Sequence, residues 1–132
     1  MGVKPMASKR RQPEGAFQRQ VAAYLDATLQ HPAIWTHIPS GGKRDAKTGA
    51  MLKAAGLKSG WPDCLIVYEI DDRTCVLGIE LKVGKGRLSD AQETIQRAFW
   101  DCYASYVTCR TLAEVATALT AHAVPTRGRI AA

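Results

Sequence analysis

At 132 residues the chain can bury one hydrophobic core but is too short for two ordinary domains. A formal charge of +6 and a pI near 9.4 point to an anionic partner, either nucleic acid or an acidic membrane surface. No apolar run approaches the roughly 20 residues of a membrane span, and "MGVKPMASKRRQP" lacks both the apolar core of a signal peptide and, with Met6 in place of Ser or Thr, a myristoylation signal; an intracellular, cytoplasmic protein is expected.

Residues 1–13 hold Lys4, Lys9, Arg10 and Arg11 and no acid, the composition of a flexible basic arm. A helix is predicted from Glu14 to Gln30, with Phe17, Val21, Tyr24 and Leu25 on one face and His31-Pro32 as its stop. "AIWTHI" is β-prone and ends at Pro39. Residues 39–62 mix turn formers with the bases Lys43, Arg44, Lys47, Lys53 and Lys58 against one acid, Asp45; a short helix is expected over about residues 44–55, ended by Gly56.

"DCLIVYEI" and "CVLGIELKV" flank "DDRT", the pattern of a β-hairpin with a polar loop of about four residues. "SDAQETIQRAFWDCYA" opens with a capping box from Ser89 to Gln92 and lines up Ala91, Ile95, Ala98, Phe99 and Cys102. "SYVTC" is a strand, and "TLAEVATALTAH" is a helix with the box Thr111 to Glu114 that buries Leu112, Val115, Ala116 and Leu119. "PTRGRIAA" is a basic tail. The expected organisation is an arm (1–13), one domain (14–124) and a tail (125–132). A strand, crossover helix and strand make a right-handed parallel pair, so residues 75–83 should lie between the hairpin partner and the strand at 105–109. The fold class is α/β, a central mixed sheet flanked by helices.

Chemistry concentrates at the open end of that hairpin. Alternation puts Val76, Gly78, Glu80 and Lys82 on one face and Leu77, Ile79, Leu81 and Val83 on the other. The Cα atoms of Glu80 and Lys82 are then about 6.6 Å apart. Antiparallel pairing across the loop sets Asp63 opposite about residue 83, at the same end. Two carboxylates on adjacent strands suit Mg²⁺, a hard cation that takes oxygen ligands. Such an ion can polarise a phosphodiester and activate an attacking water, and Lys82 would orient that water or stabilise the negative transition state. The alternative is a cross-strand ion pair; the apolar flanks imply a covered sheet, where an ionic cluster is costly without partners or a function.

Glu14 falls within the apolar stripe of the first helix, which fits either a ligand aimed at the sheet or an acid favoured by the helix dipole. The capping box suffices to explain Gln92, and Glu114 is structural by the same argument. Lys85 and Arg87 in "GKGR" offer two bases to phosphate beside the lysine strand, and Lys43, Arg44, Lys53 and Lys58 could line a DNA groove. The four cysteines show no C-x-x-C spacing and read as small core residues; His31, His37 and His122 share no metal spacing.

"PD" at 62–63 followed by "ELK" at 80–82 resembles the PD-(D/E)xK nuclease superfamily. The extended pattern, Glu14 with Phe17 and Gln18, "HIPSGGKR", "LKAAGLKSGWPD", "GIELKVGKGRLSDAQ", "SYVTC" and "TLAEV", is similar to the VRR-NUC branch, particularly its small stand-alone phage and bacterial versions, over about residues 14–119. The resemblance implies a restriction-endonuclease-like core and metal-dependent hydrolysis of DNA, sometimes at branched structures such as a Holliday junction, often by a homodimer. It implies that Asp63, Glu80, Glu14 and the Leu81 carbonyl bind Mg²⁺ or Mn²⁺, that Lys82 positions or activates the water, and that Gln92 supports the site. Trp61 stands where a small or aliphatic residue is expected, and Ser40 where asparagine is frequent; these departures affect substrate contacts, not the catalytic groups. Competing functions are a non-catalytic nucleic-acid-binding module, and a nuclease subunit whose partner supplies specificity.

Overall fold

A computed structural model of the protein describes residues 12–39 and 45–127, with side chains from residue 15 onward. The elements run α1 (Gln12–Thr28), β1 (Ile34–His37), α2 (Ala46–Ala54), β2 (Cys64–Ile70), β3 (Arg73–Leu81), α3 (Asp90–Asp101), β4 (Ser105–Cys109) and α4 (Leu112–Ala121). The strands form one mixed sheet in the order β1-β2-β3-β4, antiparallel except for the β3–β4 pair. This is the expected α/β architecture, with β3 between its hairpin partner and the parallel strand.

One face of the sheet carries Cys64, Ile66, Tyr68, Leu77, Ile79, Leu81 and Cys109 and packs against Phe17, Val21 and Leu25 of α1 and Val115 and Leu119 of α4. The alternation predicted for β3 is therefore realised: its aliphatic residues enter this core and Glu80 faces the other way. The second face is covered by α3. Its anchor is Phe99, which meets Trp61 edge-to-face at 5.3 Å and Tyr106 at 5.5 Å.

Two expectations are corrected. The hairpin loop has two residues, Asp71 and Asp72, and not about four; both adopt positive φ (50° and 68°), which lets the turn follow the strand twist. β3 accordingly starts at Arg73, and the register Cys64↔Ile79 carries Asp63 to a position beside Glu80 rather than residue 83. The apolar face of α3 is also narrower than predicted: only Phe99 is buried, Ala98 is exposed, and Cys102, at the C-cap, is exposed where the helix ends. Of the cysteines, all free, Cys64 and Cys109 are core residues and Cys75 is half-buried.

Asp45 caps α2 through Thr48, Gly56 follows its C-cap with a φ of 114°, and no residue of this helix is buried. At the far end of the chain the backbone of Arg127 donates to the Thr28 carbonyl at 2.8 Å, and Thr126 bridges Leu29. Residues 125–127 thus close on the end of α1, whereas the sequence pattern placed the start of the tail there.

Candidate active site at the open end of the hairpin

The tripeptide Trp61-Pro62-Asp63 is pinned before β2 begins. Trp61 lies on Phe99, and Pro62 lies over Gly78 of β3, where a β-carbon would collide with the proline ring. Gly60, with φ of 93°, approaches the Ala91 carbonyl too closely for any side chain, and its own carbonyl accepts from the Tyr106 hydroxyl at 3.1 Å. Trp61, the departure noted in the sequence, is therefore a packing residue that seats the aspartate.

Asp63 is fixed at both ends. Its Oδ2 accepts from the Leu81 backbone N–H at 2.8 Å, and its carbonyl accepts from the Ile38 N–H and from His37 Nδ1, both at 2.8 Å. A carbonyl can only accept, so the proton lies on Nδ1 of His37. His37 was not singled out from the sequence, since an exposed edge-strand histidine carries no spacing signal; pairing of β1 with β2 alone brings it here.

Glu80 is 4% exposed. Its Oε2 accepts from Gln92 Nε2 at 2.8 Å and lies 3.6 Å from the Lys82 ammonium, the one ion pair among the described residues. Gln92 Oε1 meanwhile accepts from the Ser89 N–H at 2.9 Å, and Ser89 Oγ accepts from the Gln92 N–H at 3.2 Å. One amide therefore completes the helix cap and holds the glutamate, the two roles the sequence could not separate.

Burial pushes the Glu80 carboxyl up to about 7, the Asp63 charge adds to the rise, and Lys82 opposes it. Burial also raises Asp63, against the lowering influence of the Leu81 N–H, His37 and Lys82. Two desolvated carboxylates that repel each other form a donor set that a divalent cation would relieve. Among the described residues no group of three or more His, Cys, Asp or Glu converges as a metal site. A third acid would have to come from Glu14, which lies in the first turn of α1 and whose side chain is outside the described residues. One turn on, Gln18 Nε2 lies 3.8 Å from Cys64 Sγ, so the start of α1 runs beside the Asp63–Cys64 corner.

The expected basic residues divide. Lys85 and Arg87 are exposed in the loop that leaves β3, whose Gly86 packs against the Lys82 stem, a β-carbon there lying 3.6 Å from Lys82 Cδ. Lys53, in the last turn of α2, and Lys58, in the loop after it, are exposed and make no side-chain bond to the Asp63, Glu80 and Lys82 cluster. Lys43, Arg44 and Ser40 lie outside the described residues. Glu114 stays structural, accepting from the Arg110 backbone N–H at 2.6 Å.

No family model and no curated protein matches the chain. Among solved structures it is similar to one described as "VRR_NUC domain protein", with a TM-score of 0.62 and 19% identity over 82% of this chain and 85% of the other. The chain has the fold of a VRR_NUC domain protein, as the motifs implied. No described helix is long and apolar enough to cross a membrane.

Proposed function

We propose that the protein is a divalent-metal-dependent DNA endonuclease that hydrolyses phosphodiester bonds at the Asp63, Glu80 and Lys82 cluster. The observation that carries this is two mutually repelling carboxylates, Glu80 buried and Asp63 half-buried, beside a lysine at one sheet end, on the fold of a VRR_NUC domain protein. A structural ion pair does not need a second, partly desolvated acid beside it, whose charge costs stability unless a cation or substrate uses it.

Asp63, Glu80 and the Leu81 carbonyl would hold Mg²⁺ or Mn²⁺, with Glu14 as the further acidic ligand. The ion supplies Lewis-acid polarisation of the phosphodiester and a lowered pKa for the attacking water. Lys82 orients the nucleophile and offsets charge on the phosphoryl oxygens. Gln92 fixes the Glu80 rotamer, and the Leu81 N–H fixes that of Asp63. Lys85 and Arg87 on the adjoining loop, with Lys43, Arg44, Lys53 and Lys58, meet the DNA backbone, consistent with the net charge of +6.

A domain this small presents little surface for reading a long sequence, so recognition of branched DNA by a homodimer fits its size. The test is a cleavage panel of single-stranded, duplex, flap and four-way DNA, with Mg²⁺, Mn²⁺ or EDTA, alongside gel filtration. Preferential metal-dependent cutting of the four-way substrate by a dimer supports the full proposal. Metal binding without cutting any of these substrates would instead indicate a subunit dependent on a partner, and DNA binding without metal binding a non-catalytic module.

A further inference from the structure

We infer that Arg110 is a DNA-phosphate contact at the β4 side of the site, held toward the substrate by the loop that leaves β3. This rests on the nuclease function proposed above. Arg110 directly follows β4, and the parallel register Leu81↔Cys109 brings it alongside Lys82, whose N–H donates to the Cys109 carbonyl at 3.1 Å. Its Nη1 donates to the Gly84 carbonyl at 2.9 Å, across 26 residues of sequence. Gly84 has a φ of 62°, so the chain turns there to present this carbonyl to the guanidinium.

The charge around Arg110 is what separates a brace from a binding group. A guanidinium has five N–H donors in a fixed fork suited to phosphate, and its bonds to the described residues use one of them. Among the described residues no carboxylate pairs with it within 4.0 Å; the acid closest in sequence on α4, Glu114, directs Oε1 to the Arg110 backbone N–H instead. Lys82 is ion-paired with Glu80 at 3.6 Å, whereas Arg110, one strand away at the same sheet end, has no carboxylate partner among the described residues. Neighbouring strands are about 4.8 Å apart, within the reach of an arginine beside a phosphate seated at Lys82. The four remaining donors of the fork are then available to a phosphate adjoining the one at Lys82.

The test is equilibrium binding of fluorescently labelled duplex and four-way DNA to the full chain in EDTA over a salt series, so that cleavage does not compete. Each phosphate contact contributes about 0.9 to the slope of log K against log salt concentration. Arg110→Ala is expected to lower the slope by about that amount, both alone and in a Lys85→Ala/Arg87→Ala background, while Arg110→Lys retains the slope with weaker binding. An unchanged slope, or a drop that vanishes once Lys85 and Arg87 are gone, overturns the inference and leaves Arg110 a loop brace. Arg110→Gln, which keeps a donor for Gly84, gives the same readout if the alanine variant unfolds. Absence of metal-dependent cleavage by the unsubstituted protein, assayed in parallel with Mg²⁺ or Mn²⁺, overturns the nuclease function itself, a result distinct from failure of the Arg110 contact alone.

Discussion

Gln92 holds Glu80 through a 2.8 Å hydrogen bond from its Nε2, while Oε1 of the same amide accepts from the Ser89 N–H. The start of α3 and the acidic end of β3 are therefore locked together by one side chain. Gln92→Glu preserves the capping box, which accepts either residue, but sets a carboxylate against Glu80. We expect the unfolding midpoint to stay near that of the unsubstituted protein and cleavage to fall about 10- to 100-fold, the usual effect of losing a group that orients a metal ligand. Rates and melting curves measured side by side check this; undiminished cleavage would remove Gln92 from the site.

The Glu80 carboxyl titrates near 7 in the folded, metal-free protein and near 4.5 in its unshifted state. Between those values the folded chain holds a proton that the unfolded chain has released. Stability from this group is thus fully present below about 4.5 and is lost as pH rises through about 7. Denaturant titrations in EDTA should show stability falling with rising pH across that window, at a slope of at most about 1.4 kcal/mol per pH unit per proton. Glu80→Gln should flatten the dependence; an unchanged slope in that variant would assign it to another group.

A divalent cation should reverse that trend. Charge on Mg²⁺ or Mn²⁺ compensates the repulsion between Asp63 and Glu80, so metal should stabilise the fold more at pH 8 than at pH 5, with a total gain of about 2.7 kcal/mol at a pH where the ion is at 100 times its Kd. Asp63→Asn should abolish this stabilisation, as calorimetric titration of the ion would show directly.

Gly78 lies under Pro62 with no room for a β-carbon. Gly78→Ala should destabilise the fold by about 2 kcal/mol and move the Trp61-Pro62-Asp63 segment outward. Cleavage should then fall further than the lost stability explains, measured at a temperature where the variant is fully folded. Activity that merely tracks the folded fraction would mean that Asp63 placement tolerates this displacement.

Much of the site was legible because two short-range rules converge on it. Alternation along "GIELKV" sets Glu80 and Lys82 on one face, and the right-handed crossover fixes β3 between β2 and β4 without side-chain detail, although the place of β1 at the edge beside β2 was not foreseen. The register was not legible: Asp71-Asp72 makes a tight two-residue turn without the glycine that normally marks one, and a loop two residues shorter than expected accounts for two of the three positions by which the partner of Asp63 moves. The contact of His37 with Asp63, and Arg110 altogether, were not foreseen because their roles depend on neighbours 26 residues away in sequence. The aromatic contacts of Trp61, Phe99 and Tyr106 join three separate elements, which no local periodicity encodes. Gln92 stood between: its cap was evident, but its bond to Glu80 required α3 to be placed on the sheet.

Whether Asp63, Glu80 and Lys82 form one hydrolytic centre is decided by cleavage of supercoiled plasmid and four-way DNA by the unsubstituted protein and Lys82→Ala, each with Mg²⁺ and with EDTA. Cutting should require the metal and fall about 100- to 1000-fold in the variant, with its unfolding midpoint and DNA binding retained. No metal-dependent cutting by the unsubstituted protein, or equal cutting by Lys82→Ala, would contradict that single hydrolytic centre.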